Sequence, residues 1–213
     1  MHAWVWRGLL GIALLASNAT LAAAPSEASE DAELHAASAE VKWMAHWAIA
    51  SGDSAGFPYL VIDKVNARVY VFDARGELQG ADAALLGMGR GDRSSAGIGN
   101  RRLSTIGPDE RITPAGRFMA AFDRDLHDQE VLLIDYDASL ALHPVVKGQP
   151  IERRAERLQS PTAQDNRISF GCINVPLAFY QSVVSPVFGK TNGVVYILPE
   201  ASSAQGWFEK KSR

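Results

Sequence analysis

The hydrophobic positions of this chain follow two patterns, one helical and one extended. Between residues 26 and 50, apolar residues recur at the spacing of one helix face, and acidic residues crowd the first turns, where the helix dipole favours anions. A Ser- and Gly-rich break at 51–56 follows, so we predict a helix and linker over 25–56. The apolar stripe is expected to pack on the rest of the domain: Leu34, Ala37, Val41, Met44 and Ala48.

From residue 57 onward, the chain consists of short runs rich in β-branched and aromatic residues. A long glycine-rich loop over 89–111 and a short helix over 177–188, kinked or ended near Pro186, interrupt these runs. We predict a mainly β sandwich or barrel over 57–200 with a few short helices, followed by a polar tail over 201–213. The predicted strands are 59–63, 68–72, 84–88, 117–122, 131–136, 140–143 and 194–198.

The first 24 residues have the pattern of a secretory signal peptide. Arg7 precedes an apolar stretch at 8–16, and small residues continue to Ala24. The apolar stretch is short for a membrane span, so we expect export without stable membrane insertion once the signal is cleaved. An uncleaved N-terminal anchor is the alternative.

Composition excludes some classes of function. A formal net charge of -3 gives no electrostatic basis for binding nucleic acid. Five histidines and one cysteine do not form a Cys-rich zinc framework, and no metal or organic cofactor is implied. The oligomeric state is not predicted.

The single cysteine, Cys172, is the most informative residue. It cannot form an intramolecular disulfide, so it is either a small buried apolar group or a reactive thiol. Its small and polar neighbours favour a reactive thiol, and Gly171 lets a backbone amide approach a reacting oxygen. Pro176 fits the first turn of a helix, so we expect Cys172 just before a helix N-terminus, with a lowered thiol pKa.

A cysteine nucleophile needs a base, and two histidines are candidates. His143 ends a predicted strand and is followed by Pro144, which turns the chain away and leaves the imidazole facing a cleft. His127 lies in a polar loop, where a base is held less rigidly. We therefore assign the base to His143, with a strand histidine satisfied by backbone groups as the alternative reading.

Three segments together resemble a known family. They are the run from Thr113 to Phe118 (TPAGRF), the strand that ends at His143, and the run from Ser169 to Val175 (SFGCINV). Their order and content resemble the L,D-transpeptidase (YkuD-type) catalytic domain of bacterial cell-wall enzymes. The resemblance covers residues 59–199, about two thirds of the chain.

The resemblance implies a β-sandwich of mixed sheets and a periplasmic enzyme that acts on peptidoglycan stem peptides. It implies that Cys172 attacks the carbonyl of a diaminopimelate residue and releases the terminal D-alanine. The acyl-enzyme then passes to an amine, which forms a crosslink or exchanges the terminal residue, or to water. His143 carries over as the base, and the amides of Gly171 and Cys172 as an oxyanion hole. Ser169 carries over as a support, and Asn174 as a group that orients the turn.

The chain departs from the family pattern in two places. Phe170 stands where members commonly have histidine, and it serves either as an apolar platform for substrate or as a core anchor. Ser169 follows His143 by 26 positions, a longer separation than usual, and the charged segment 147–157 between them is expected to form a flap over the cleft. Its arginines are candidates to bind substrate carboxylates. We favour Arg167 for that role because it lies two positions before Ser169.

Two alternative functions stay open at this stage. An L,D-carboxypeptidase or endopeptidase of the same fold would pass the acyl group to water. A non-catalytic wall-binding protein would keep the fold without turnover, although the presence of Cys172 and His143 argues against it.

Overall fold

The computed structural model describes residues 27–125, 127–146 and 148–210. The predicted signal peptide at 1–24 and the predicted helix start at Ser26 lie outside the described residues. The strands are β1 (Tyr59–Asp63), β2 (Arg68–Phe72), β3 (Leu78–Ala83), β4 (Leu86–Gly87), β5 (Gly116–Arg124), β6 (Glu130–Asp135), β7 (Leu140–Pro144), β8 (Arg167–Ser169), β9 (Ile173–Val175) and β10 (Gly193–Ile197). The helices are α1 (Glu27–Ala36), α2 (Ala39–Ala50), α3 (Arg154–Leu158), α4 (Leu177–Phe179), α5 (Ser185–Phe188) and α6 (Ala204–Phe208).

Eight strands form one mixed sheet in the order β3-β2-β1-β10-β5-β6-β7-β9. The β1/β10 and β7/β9 pairs are parallel, and the other neighbours are antiparallel. Strand β5 is long enough to serve two partners: residues 116–120 pair with β10, and residues 121–124 pair with β6. The sheet therefore has two halves that meet along β5, and β4 with β8 forms a separate short parallel pair.

The main core lies between these two halves. Side chains of β1, β2 and β10 form one buried cluster with side chains of β6, β7 and β9, including Leu60, Val71, Ile197, Leu132, Leu142 and Ile173. Burying one such side chain contributes about 1.5–3 kcal/mol, so this cluster supplies much of the driving force for folding. The mainly β prediction, with mixed sheets and few short helices, is confirmed.

A second core covers the outer face of the first half. Helix α2 places Val41, Met44 and Ala48 against β1 and β10, which confirms the predicted packing of the apolar stripe. Strands β1 and β10 are thus buried on both faces, which explains their uninterrupted apolar sequences. The predicted single helix is two helices, because the Ser38 hydroxyl caps α2 by accepting a hydrogen bond from the N–H of Val41.

Three local predictions need correction. The segment expected to be a polar tail contains α6, whose Ala204 and Phe208 are buried in the second core. Strand β3 occupies residues 78–83, where the sequence pattern predicts no strand. The helical segment predicted at 177–188 is present, but it does not end at Pro186, because a π-helical turn at Tyr180–Val184 precedes that residue and Pro186 falls in the first turn of α5.

Candidate active site

Strands β7 and β9 bring the cysteine and the histidine together. In their parallel register His143 lies opposite Asn174, and Leu142 lies opposite Ile173. Leu142 and Ile173 point into the main core, so the alternation of side chains turns His143, Asn174 and Cys172 toward the other face of the sheet. The three polar residues therefore share one face.

The turn that carries Cys172 is closed by Ser169. The Ser169 hydroxyl accepts a hydrogen bond from the N–H of Gly171 at 3.1 Å and donates one to the carbonyl oxygen of Cys172 at 2.6 Å. Gly171 has φ +135°, and a Cβ there would lie 2.9 Å from the carbonyl oxygen of Ile112, so this position requires glycine. The Gly171 N–H is already bonded, which corrects the expectation that it is a free oxyanion-hole donor.

Thr113 fixes the same turn from the other side, a role that the sequence did not reveal. Its buried hydroxyl donates to the carbonyl oxygen of Gly171 at 2.7 Å and accepts from the N–H of Gly87 at 2.9 Å. The threonine of the TPAGRF run thus joins β4 to the cysteine turn. In the sequence, the available sign of this role was the place of Thr113 at the start of the TPAGRF run, shortly after the glycine-rich loop at 89–111.

His143 is held in one tautomer. Its Nδ1 lies 2.8 Å from the carbonyl oxygen of Pro144, an acceptor, so Nδ1 carries the proton and Nε2 of the neutral ring is an acceptor. Burial lowers the pKa of His143 below its ordinary value of 6.5, the bond to Pro144 opposes this, and the nearby charge of Arg154 lowers the pKa further. At neutral pH the ring is uncharged and able to accept a proton.

Cys172 does not lie at a helix N-terminus, which corrects the prediction. Strand β9 follows it directly, and α4 begins only at Leu177. The thiol is half-buried and donates a long hydrogen bond of 3.4 Å to the carbonyl oxygen of Ser139. Burial raises the pKa of the Cys172 thiol, although the N–H groups of Ala141 and Cys172 itself oppose this shift. The site therefore holds a neutral thiol beside a neutral imidazole.

Asn174 connects the two reactive groups. Its Nδ2 lies 3.3 Å from the carbonyl oxygen of Cys172 and 3.4 Å from Nε2 of His143. Its Oδ1 accepts a hydrogen bond of 2.8 Å from Nη1 of Arg154. Among the described residues no hydrogen bond joins the Cys172 sulfur to His143, so Asn174 is the link between them.

The charged segment between β7 and β8 is fastened to the protein. Arg157 donates to the carbonyl oxygens of Glu152 and Asp165, and these bonds hold α3 against the turn that precedes β8. Arg154 in the first turn of α3 reaches the active site, whereas Arg153 extends toward solvent and pairs with Glu156. The expected flap is thus an anchored segment that contributes one arginine to the site.

Among the described residues, three other candidates make no hydrogen bond to Cys172, Asn174 or His143. The guanidinium of Arg167 is buried, pairs with Glu200 and donates to the carbonyl oxygen of Lys64 at 2.7 Å. Because these groups occupy it, Arg167 does not fit the predicted role of binding a substrate carboxylate. Phe170 is half-buried beneath the guanidinium of Arg111, 3.8 Å from the ring centroid. His127 is exposed in the β5–β6 turn.

A cleft of about 370 Å³ opens beside His143. The carboxylates of Asp125 and Glu130 lie on its wall, together with the exposed apolar side chains of Leu177 and Val146. In the described part of the chain, no three His, Cys, Asp or Glu side chains cluster as metal ligands would. No helix in that part has the length and apolar content needed to span a bilayer.

Comparisons with known proteins give structural similarity only. No protein-family model matches the chain, and no curated protein matches it in a sequence search. The catalytic domain of the E. faecium L,D-transpeptidase, determined by NMR, is similar over 66% of this chain and 96% of that domain, with 15% identity and a TM-score of 0.37. The L,D-transpeptidase LdtMt1 in complex with imipenem is similar over 66% of this chain and 58% of that chain, with 14% identity and a TM-score of 0.37. We base the functional proposal on the site geometry and the sequence motifs.

Proposed function

We propose that this protein is an exported, cysteine-dependent L,D-transpeptidase that acts on peptidoglycan stem peptides. The arrangement of Cys172, Asn174 and His143 on one face of two parallel strands is the observation that supports this proposal most directly. It provides a thiol nucleophile and an imidazole whose tautomer suits a general base. Export rests on the signal-like residues 1–24, and we propose the periplasm as the location.

In the first half-reaction, the long contact of 3.4 Å between Nδ2 of Asn174 and Nε2 of His143 is released. Nε2 then accepts the thiol proton as the sulfur of Cys172 adds to the carbonyl carbon of a diaminopimelate residue. The N–H of Cys172, which lies beside its own sulfur, is the donor that we assign to the oxyanion. The C–N bond then breaks, and the terminal D-alanine leaves as an amine with the proton from His143. A thioester on Cys172 remains.

In the second half-reaction, His143 takes a proton from an incoming amine as that amine adds to the thioester. The sulfur leaves and regains a proton, and the product is a crosslinked or exchanged peptide. Water in place of the amine gives a shortened peptide. Because the resting thiol is neutral, proton transfer to His143 accompanies the attack instead of preceding it.

The test is mass spectrometry of the products that the mature protein makes from a disaccharide-tetrapeptide. We expect crosslinked dimers from transfer or a tripeptide from hydrolysis. Cys172→Ala and His143→Ala should each reduce product formation about a thousandfold or more, with little change in stability. His127→Ala is the matched control, because that histidine is exposed, and it should retain activity.

Two outcomes would contradict the proposal. Product made equally by Cys172→Ala would remove the thiol from the reaction. An unchanged tetrapeptide in every sample would favour the non-catalytic wall-binding alternative.

A further inference from the structure

A chain of polar contacts reaches the proposed base from the segment between β7 and β8. Glu152 Oε2 accepts a hydrogen bond of 2.8 Å from Nε of Arg154, and Nη1 of Arg154 donates to Oδ1 of Asn174 at 2.8 Å. Nδ2 of Asn174 then approaches Nε2 of His143 at 3.4 Å, and Nδ1 of His143 bonds to the carbonyl oxygen of Pro144. We call Glu152, Arg154, Asn174 and His143 the Arg154 chain.

The direction of each bond in this chain follows from Arg154. A guanidinium only donates hydrogen bonds, so the amide atom that faces Arg154 must be the oxygen of Asn174. The amide NH2 of Asn174 therefore faces His143, and Nε2 of the imidazole must be the acceptor. This state of His143 is the one that can take a proton from a thiol at Nε2.

Arg154 is packed in place and is not a mobile surface cation. Its side chain is only 11% exposed, against 68% for the neighbouring Arg153. Gly148 lies beneath the Glu152–Arg154 pair, and a Cβ at that position would lie 2.2 Å from Oε2 of Glu152 and 2.7 Å from Nε of Arg154. The carboxylate of Glu152 and the backbone at Gly148 thus hold the guanidinium of Arg154 against Asn174.

The charges around His143 come from three segments. Arg154 faces it from α3, Asp125 faces it from the end of β5, and Glu130 lines the same cleft at the start of β6. The positive charge of Arg154 lowers the pKa of both His143 and Cys172, whereas Asp125 raises the pKa of His143. Arg154 thus favours a neutral base and an ionised sulfur.

We propose that Arg154 is a positioning residue for the reaction, acting through Asn174 to hold the His143 imidazole in the tautomer whose Nε2 is an acceptor beside the Cys172 turn. The proposal rests on the proposed function in that it takes Cys172 as the nucleophile and His143 as its base. In the part of the chain that the structure describes, Arg154 makes no hydrogen bond to Cys172 or His143; its side chain bonds to Glu152 and Asn174. The charged segment that lengthens the connection from His143 to Ser169 would thus complete the active site.

The first test needs no peptidoglycan substrate. Cys172 is the only cysteine, so the rate of alkylation by iodoacetamide reports on this thiol alone, and NMR titration follows His143, whose signal is assigned by its loss in His143→Gln. Arg154→Met should slow alkylation at neutral pH and raise the pKa of His143. Arg153→Met is the matched control, and it should leave both readouts unchanged.

Turnover of the tetrapeptide is the second readout. In metalloenzymes, removing a group that orients a histidine ligand lowers activity by about 10–100-fold. By analogy, we expect Arg154→Met to lower kcat by about tenfold or more while KM changes little. Arg154→Lys keeps the charge and protects the fold, but it loses the planar fork. It should therefore lower kcat while the titration of His143 stays close to that of the parent.

These measurements separate the two proposals. Alkylation and titration profiles of Arg154→Met that match those of Arg153→Met would overturn the positioning role, whatever the enzyme does with the tetrapeptide. An Arg154→Lys variant with the kcat of the parent would also overturn it. A protein inactive on the tetrapeptide, with altered profiles in Arg154→Met, would contradict the proposed reaction and still support the contact of Arg154 with the site.

Discussion

Two polar networks contact the cysteine turn, and they differ in how completely their groups are paired. The Arg154 chain reaches it through Asn174 and ends at the titratable His143. The other, here called the anchor network, consists of Lys64, Asp92, Glu200 and Arg167. Both contain an arginine and a carboxylate close to the proposed active site.

The anchor network is closed on itself. The buried Nζ of Lys64 donates to Asp92 and to the carbonyl oxygens of Gly91 and Thr113. Burial lowers the pKa of Lys64. Burial also opposes ionisation of Asp92, but hydrogen bonds from Lys64 and from backbone N–H groups lower its pKa below the usual value. With every charge compensated, this network can only hold loops in place.

The Arg154 chain instead leaves an acceptor that a reaction can use. Its last bond, to Nε2 of His143, is 3.4 Å long, and the imidazole is half-buried beside a cleft. Proximity in sequence to the motif is therefore a poor guide to the role of an arginine. Arg167 is two positions from Ser169 and belongs to the anchor network. Arg154 is much farther from Ser169 in the sequence and belongs to the site.

The largest effect that would test this comparison is on stability. Lys64→Met leaves the buried carboxylate of Asp92 without its cationic partner. Removing one member of a buried pair costs about 3–5 kcal/mol. Urea unfolding should show that loss, whereas Lys190→Met at an exposed position should unfold like the parent. A Lys64→Met protein of normal stability would show that the anchor network does not hold the fold.

A medium effect is expected at Thr113, which joins the anchor network to the cysteine turn. Thr113→Val keeps the volume of the side chain but leaves the N–H of Gly87 and the carbonyl oxygen of Gly171 without their partner. Each unmet buried group costs about 1–3 kcal/mol, so urea unfolding should show a loss in that range or above it. Thr191→Val, at an exposed position, is the control. Equal stability of the two variants would contradict the bridging role.

The smallest effect is the pH dependence contributed by His143. Its pKa in the folded protein lies below the ordinary 6.5, so the unfolded chain binds more protons as the pH falls through that value. The contribution of His143 to stability is therefore complete above pH 6.5 and declines toward the lower folded pKa. The free energy of unfolding, measured from pH 8 to pH 5, should fall more steeply for the parent than for His143→Gln. Parallel curves would mean that the environment of His143 does not favour its neutral form.

Much of the fold could be predicted from local patterns. The apolar runs of β1, β2 and β10 were clear because both faces of these strands are buried, and the stripe on α2 has the helical period. Strand β9 and helix α6 were missed because three to five residues are too few to show a period. The predicted helix N-terminus at Cys172 failed because β9 lies between the cysteine and Pro176, and this strand is defined by its pairing with β7.

The chemical types at the site follow from short segments of the sequence. A single cysteine in a small-residue turn and a histidine before a proline already select a thiol and its candidate base, because residue identity and local backbone limits are properties of short segments. Long-range contacts determine which polar groups hold the scaffold and which remain available for chemistry. Thr113 bonds to Gly171, Arg154 to Asn174 and Arg167 to Lys64 only in the folded chain. Hydrogen bonds act over about 3 Å, so these partners, distant in sequence, have no local signature.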